Sequence, residues 1–368
     1  MELARRKDFP GHFVKIEFVP LEPSLLNACR DFNVRLRAHG EPPFELPEEV
    51  PADGAGGPRR HWVAVDEERA VRGGVLLQSQ QGWLNGEVIP LINVQSPLSE
   101  AVIDRRYSPV GLSMLKFLAR QSRWHYAVGM GSLENPFARL VSAAGWQTGL
   151  VPFFFHVADG TAFLREIGPL RDSASKRPLA RIAAALRIGA IGAAAWRATH
   201  SAPTAGYSLE AITQWSGANE VWASASPHMQ FGLLRNEDTL PGIFPPSDVQ
   251  HCFLLRHRGR PTGWSAAYLT PMRESRYFGN LRVGTILDGL AAPEHVPALL
   301  TLTRNALREL FAQLIIINQC HETWLRAMPR AGFLAGPSNY VAASSKAIRA
   351  ERRAMHITRA DGDGRIHL

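Results

Sequence analysis

Apolar positions along the 368-residue chain change period repeatedly, and each change marks an element. Residues 13–19 alternate apolar and polar with period two, as a half-buried strand does. Leu25, Leu26, Cys29, Phe32 and Leu36 then recur at helical spacing. A Pro- and Gly-rich loop covers 41–58. Residues 62–65 and 71–78 flank an acidic turn at Asp66-Glu67-Glu68 and predict a strand pair. The pattern predicts a further strand over 88–94, a helix over 112–119, and a short buried strand over 126–128 running into Gly129-Met130-Gly131. A helix over 135–144 is expected to end on Gly145 as its C′ residue, and 150–157 reads as one continuous apolar strand.

Residues 159–206 interrupt this series with a basic, Ala-rich stretch that predicts a linker helix and ends in a loop at 201–206. The series then restarts. Residues 209–222 read as a helical opening, 253–257 and 263–269 as strands around a turn at Arg258-Gly259-Arg260-Pro261, and 283–290 as the next strand. Helix 296–311, buried strand 314–317, helix 322–330 closed by Ala331-Gly332-Phe333, and a closing strand at 340–342 follow. A repeat of roughly 180 residues is too long for a solenoid and points to a duplicated domain. The expected organisation is a first domain over 1–160, the linker helix over 161–206, a second domain over 207–346 and a tail over 347–368.

This order resembles the GNAT superfamily of acyl-CoA N-acyltransferases. In the first half, Arg106, Pro109 and Gly111 fall on the three fixed positions of the family's pyrophosphate loop, Gln/Arg-x-x-Gly-x-Gly/Ala, with proline replacing the central glycine. The run from Asn135 to Trp146 is similar to the family's Asn-x-x-Ala…Gly-Phe helix, one residue shorter, and the acidic hairpin is similar to its second and third strands. In the second half the Ile-rich strand and Ala331-Gly332-Phe333 are similar, but Glu294 stands where the loop has Gln or Arg. The resemblance spans most of 60–157 and 250–345. It implies an α/β fold with a mixed sheet in a three-layer αβα arrangement, two such domains in tandem, and acetyl-CoA or another acyl-CoA as cosubstrate. The implied acceptor is a small-molecule or sugar amine.

A helix N-terminus offers unpaired N–H groups and partial positive charge to a pyrophosphate. Arg105, Arg106 and Gly111 would bind it, with Val94 on the preceding strand and Asn135 at the next helix start completing the cofactor set. Proline at 109 removes one donor but pre-sets φ for a first helical turn. Acyl transfer also needs a base for the ammonium proton. Glu100 is the first candidate and Glu134 the second. The tyrosine that the family often carries as general acid is replaced by Val141 and Met328.

Composition narrows the partners. A formal charge of +8 attracts anions, yet the arginines are scattered rather than striped, so nucleic acid is not the expected ligand. Three distant cysteines suggest neither a disulfide framework nor a zinc site, and no metal site is predicted. The N-terminus lacks an apolar stretch behind its charges, so the expected location is the cytoplasm. Residues 182–196 are apolar but too short to span a bilayer, and Arg187 interrupts them. The segment 178–200 is either a packed helix or an interfacial one, placing the protein peripherally at an anionic inner membrane face. Two alternatives to the acyltransferase remain: a non-catalytic GNAT-like binding module at such a face, and a Fem-like aminoacyltransferase.

Overall fold

The computed structural model describes residues 14–40, 44–51, 58–168, 192, 196, 199–245, 247 and 250–362. Apart from 192, 196, 199 and 200, the segment 178–200 therefore lies outside the described residues. Those described form two compact units, one from 14–51, 58–78 and 94–123, the other from 79–93 and 124–362.

In the first unit, β1 (Glu17–Pro20) pairs antiparallel with β2 (Arg59–Val65), and β2 with β3 (Val71–Leu84) across the acidic turn. Helix α1 (Leu26–His39) buries Cys29, Phe32 and Leu36, the positions its apolar period selects, against Val63, Val65 and Val71. Strand β4 (Glu87–Ser99) leads to α2 (Pro109–Gln121). Strands β3 and β4 contribute residues to both units.

The second unit begins where β4 meets β5 (His125–Val128) in parallel, at Ile92↔His125 and Asn93↔Tyr126. There follow α3 (Pro136–Ala143), β6 (Gln147–Leu150), β7 (Phe153–Val157) and α4 (Gly160–Glu166). After the linker come β8 (Tyr207–Ile212), α5 (Ala218–Ala225), β9 (Phe231–Leu233) and α6 (Leu240–Ile243). Strands β10 (Gln250–His257), β11 (Arg260–Pro271) and β12 (Arg282–Ala291) precede α7 (Val296–Glu309), β13 (Leu314–Asn318) and α8 (Glu322–Arg330). The chain closes with β14 (Leu334–Gly336), β15 (Val341–Ser344) and β16 (Met355–His356). One sheet runs β8-β10-β11-β12-β13-β7-β14, with β12 and β13 parallel over four residue pairs. Its two faces are both covered. Leu254, Trp264 and Leu287 pack on Val221 and Ala225 of α5, while their neighbours Leu255 and Ile286 pack on Leu299 and Leu307 of α7. The α/β class and the doubled plan expected from the sequence are therefore present.

Two expectations are corrected. Residues 150–157 are two strands in different sheets. Pro152 has no N–H to give a ladder, and the Val151 N–H is spent on the Tyr340 carbonyl at 2.7 Å, so the chain leaves one sheet there and enters the other. As a result β7 lies between β13 and β14, while β15, expected to close the second half's sheet, lies between β5 and β6. Each half is completed by a strand of the other. The opening at 209–222 is also not one helix. Residues 207–212 pair antiparallel with β10 as an edge strand, and helix starts only after Gly217 takes a left-handed φ of 94°.

The helix ends follow the predicted punctuation. Gly145 and Gly332 both occupy C′ with φ near 80°, and in each case the next N–H reaches back to close a Schellman motif: Trp146 to Val141, Phe333 to Met328. Helix α7 makes the same motif without glycine. Phe311 sits at C′ with φ 65°, its N–H bonds the Arg308 carbonyl, and Ala312 bonds Leu307. A left-handed phenylalanine costs about 1–2 kcal/mol. Phe311→Gly is accordingly expected to raise stability by about 1 kcal/mol in urea titration; a loss would refute the strain at this cap. No helix among the described residues is long and apolar enough to cross a membrane.

Candidate functional site

The loop from β4 to α2 is built around a buried carboxylate. Glu100 is 4% exposed and receives both nitrogens of an Arg35 fork, Nε to Oε1 at 2.7 Å and Nη2 to Oε2 at 3.3 Å. Arg72 Nη1 reaches Oε2 at 3.1 Å, and its Nε bonds Asp66 at 2.7 Å. Burial pushes the Asp66 carboxyl up, but the bonds from Arg72 and from the Ala70 and Glu68 amides outweigh it and hold it below its usual range. Arg72 also lies over the Tyr107 ring, 4.4 Å from its centroid. Two arginines thus tie α1, β3 and the loop together, and both oxygens of Glu100 are committed to them.

Beyond Glu100 the chain turns twice. Asp104 caps the turn Arg105–Tyr107, accepting from the Arg106 N–H at 2.9 Å and from Arg106 Nε at 2.7 Å. Those two bonds hold the Asp104 carboxyl low, and the same carboxylate raises Arg106. Arg105 and Arg106 stay exposed at the start of α2, where Pro109 takes the first helical position and Gly111 lies in the first turn. Val94 is buried in β4. In the other unit Asn135 is the N-cap of α3, its Oδ1 accepting from the Phe137 N–H at 2.9 Å, and Glu134 is exposed beside it. Glu100 and Glu134 belong to different units.

The corresponding place in the second half differs. Strands β12 and β13 pair from Val283↔Leu314 to Ile286↔Ile317, and a bulge opposite Ala266 and Ala267 re-aims β12 at Asp288. Arg235, fully buried, donates from Nε to Asp288 and from Nη2 to Asp361, each at 2.7 Å, and from Nη1 to the Leu233 carbonyl at 3.1 Å. His356 completes the cluster. Gln319 Oε1 accepts from the Cys320 and His321 N–H groups, which turns its amide nitrogen toward His356 Nδ1 at 3.3 Å. Nδ1 is then an acceptor, so the proton sits on Nε2 and faces Asp288 at 3.4 Å. Burial raises the Asp288 carboxyl, but Arg235 and His356 overcome it and hold it low. Asp361 is pushed up by burial and by the charge of Asp288 despite Arg235. His321 also has both nitrogens occupied, Nε2 on the His228 carbonyl at 2.8 Å and Nδ1 as cap of α8, and Cys320 beside it is buried. Between His228, His321, His356 and Trp324 remains a space of about 10 Å³, on the scale of one water.

A larger cavity of about 640 Å³ opens at the start of α7, lined by Thr199, His200, Ser201, Tyr207, Glu294 and Arg330 among others. Tyr207 bonds His295 Nδ1 through its hydroxyl at 2.9 Å and stacks on His257 at 4.4 Å. The Glu294 side chain is two-thirds exposed at its edge, with Oε1 3.8 Å from His295 Nε2.

No family model and no curated protein matches the sequence. Solved structures do match the fold. Saccharomyces cerevisiae N-myristoyltransferase with bound myristoyl-CoA covers 98% of this chain and 87% of its own, at 12% identity and a TM-score of 0.52. A second structure of that enzyme, with myristoyl-CoA and inhibitors, covers 94% and 86% at 12% identity and 0.51. A GCN5-related N-acetyltransferase from Anabaena variabilis covers 89% and 72% at 11% identity and 0.49. The fold is thus that of the myristoyltransferase structures, over nearly the whole chain.

Within this fold the residues that the sequence pattern overlooked are Arg235, Asp288, His356 and Asp361. The available signal was a charge set inside an apolar run, Asp288 in Thr285-Ile286-Leu287-Asp288-Gly289-Leu290 and Arg235 after Phe231-Gly232-Leu233-Leu234. Such charges are buried only when paired. Among the described residues no group of three or more His, Cys, Asp or Glu is placed to hold a metal ion.

Proposed function

We propose that the protein is an acyl-CoA-dependent N-acyltransferase acting on a small-molecule or sugar amine. The observation that carries this reading is the doubled GNAT-like fold, matched over nearly the whole chain to an enzyme structure holding myristoyl-CoA. The two halves are unequal. In the second, Arg235, Asp288, His356 and Asp361 beyond the parallel strands are committed to one another in a buried cluster. The first-half loop, with Arg105 and Arg106 exposed in the turn just before a 13-residue helix, is the better seat for a pyrophosphate, and Gly111 and Val94 of the same unit belong to the same proposed cofactor set.

In the reaction the amine nitrogen attacks the thioester carbonyl, the C–N bond forms, the C–S bond breaks, and the ammonium proton passes to a base and on to the thiolate. Glu134, exposed beside the start of α3, is the proposed base. Glu100, with both oxygens held by arginines, is the proposed positioning residue for the loop.

A thermal-shift panel of CoA thioesters from acetyl to myristoyl tests cofactor use and chain length together. A ligand at a hundred times its Kd stabilises by about 2.7 kcal/mol, a shift of several degrees. Arg106→Glu should abolish the shift. Glu134→Gln should keep it while lowering turnover about a hundredfold once an acceptor is found. If no thioester moves the melting temperature, the acyltransferase reading fails.

A further inference from the structure

At the end of the seven-stranded sheet away from the parting of β12 and β13, three segments are knit together. The Ala158 and Asp159 N–H groups both donate to the Gln313 carbonyl at 3.0 Å, and Gln313 exchanges bonds with Arg282, N–H to carbonyl at 2.8 Å and Oε1 from the Arg282 N–H at 2.9 Å. The Gly168 N–H donates to the Tyr277 carbonyl at 2.9 Å, and Glu166 accepts from the Asn280 N–H at 3.1 Å. Two large side chains stand out from this end, Phe311 at 76% and Tyr277 at 54% exposed. Phe311 is kept there in a left-handed conformation that glycine would adopt without strain, so the exposed ring is held at a cost to the fold. Arg165, Arg273, Arg276 and Arg282 are exposed on the same end, and the Arg276 guanidinium lies 5.6 Å from the Tyr277 ring centroid. With Arg308 they outnumber the acids Asp159, Glu166, Glu274 and Glu309 by one. Asp159 is used as the cap of α4, and Glu166 is paired with Arg165. The chain leaves this end after Gly168 into a stretch, 169–198, with six Lys or Arg against one acid.

We propose that this end of the sheet is a docking face for an anionic lipid surface, with the rings of Phe311 and Tyr277 entering the interfacial layer. An aromatic ring is the side chain best suited to the headgroup boundary, and arginines around it gain from anionic lipid within a Debye length. The cations and the exposed rings occur together here, and charge selects the lipid over a neutral apolar partner. The face consists of described residues in one compact unit and does not depend on the acyl-CoA reading.

The test is co-sedimentation of the full chain with phosphatidylcholine vesicles, plain or containing roughly one-third phosphatidylglycerol. Binding is expected only to the anionic vesicles, reduced by salt, and weakened about tenfold or more in Phe311→Gly/Tyr277→Ser. Phe311→Gly relieves the cap and Tyr277 is in an exposed turn, so both variants should stay folded; each single variant should lose part of the binding. Absence of binding to anionic vesicles overturns the proposal. So does equal binding by the double variant, which would place the lipid contact elsewhere in the chain. A concentration-dependent dimer in sedimentation velocity that the double variant abolishes would make a second copy the occupant, and would also overturn it.

Discussion

Arg235→Met is expected to destabilise the chain by about 3–5 kcal/mol, because removing one partner from a buried ion cluster leaves the others charged and unpaired. Arg235 is 0% exposed, and its two 2.7 Å bonds hold Asp288 of β12 and Asp361 near the described C-terminus. Without the guanidinium, two carboxylates share an interior that includes Trp264 and Leu287. One of them must take up a proton or water must enter. The segment 355–361 should loosen at the same time, since Asp361 and the parallel pairing of β16 with β9 hold it. Chemical denaturation measures the first effect and limited proteolysis the second. Arg235→Met combined with Asp288→Asn and Asp361→Asn should recover part of the loss, as the couplings within one network are not additive. A loss below about 1 kcal/mol in the single variant would mean that the cluster is hydrated, and would refute the burial argument.

Acidification should destabilise the fold through its buried histidines. His125 is 2% exposed, stacked on Trp146, and burial lowers its pKa to about 4. The unfolded chain binds that proton near 6.5, so below this pH the unfolded state holds more protons than the folded one. The stabilisation tied to neutral His125 is therefore complete above about pH 6.5 and is lost as pH falls toward about 4, a change of about 3 kcal/mol at one proton per site. His61, His321 and His356 are shifted in the same direction by burial and steepen the same limb. Melting temperature measured from pH 7 to 4.5 should fall steadily, and His125→Phe should flatten part of that slope. A profile level across the window, or one that His125→Phe leaves unchanged, would contradict the burial of a neutral imidazole here.

The sequence by itself determined where most elements lie and that they come twice. Helical spacing in 25–36, strand alternation, and glycine at 145 and 332 are local statements, because period and left-handed φ are decided within one turn of chain. The helix start was legible for the same reason: Pro109 takes the first helical position, with Gly111 in the first turn. Only the tertiary structure decided which strand completes which sheet. The exchange of β7 and β15 depends on partners roughly 160 to 220 residues away, as in Ile316↔Phe155 and Ala342↔Val128, and a strand's own pattern is the same in either sheet. It also decided what each charge meets. Glu100 and Asp288 are both single acids near the end of an apolar strand, yet one is gripped by Arg35 and Arg72 and the other by Arg235 and His356. Burial and pairing are set by side chains brought from distant segments, and a charge's energy depends on that surrounding medium far more than on its neighbours in sequence.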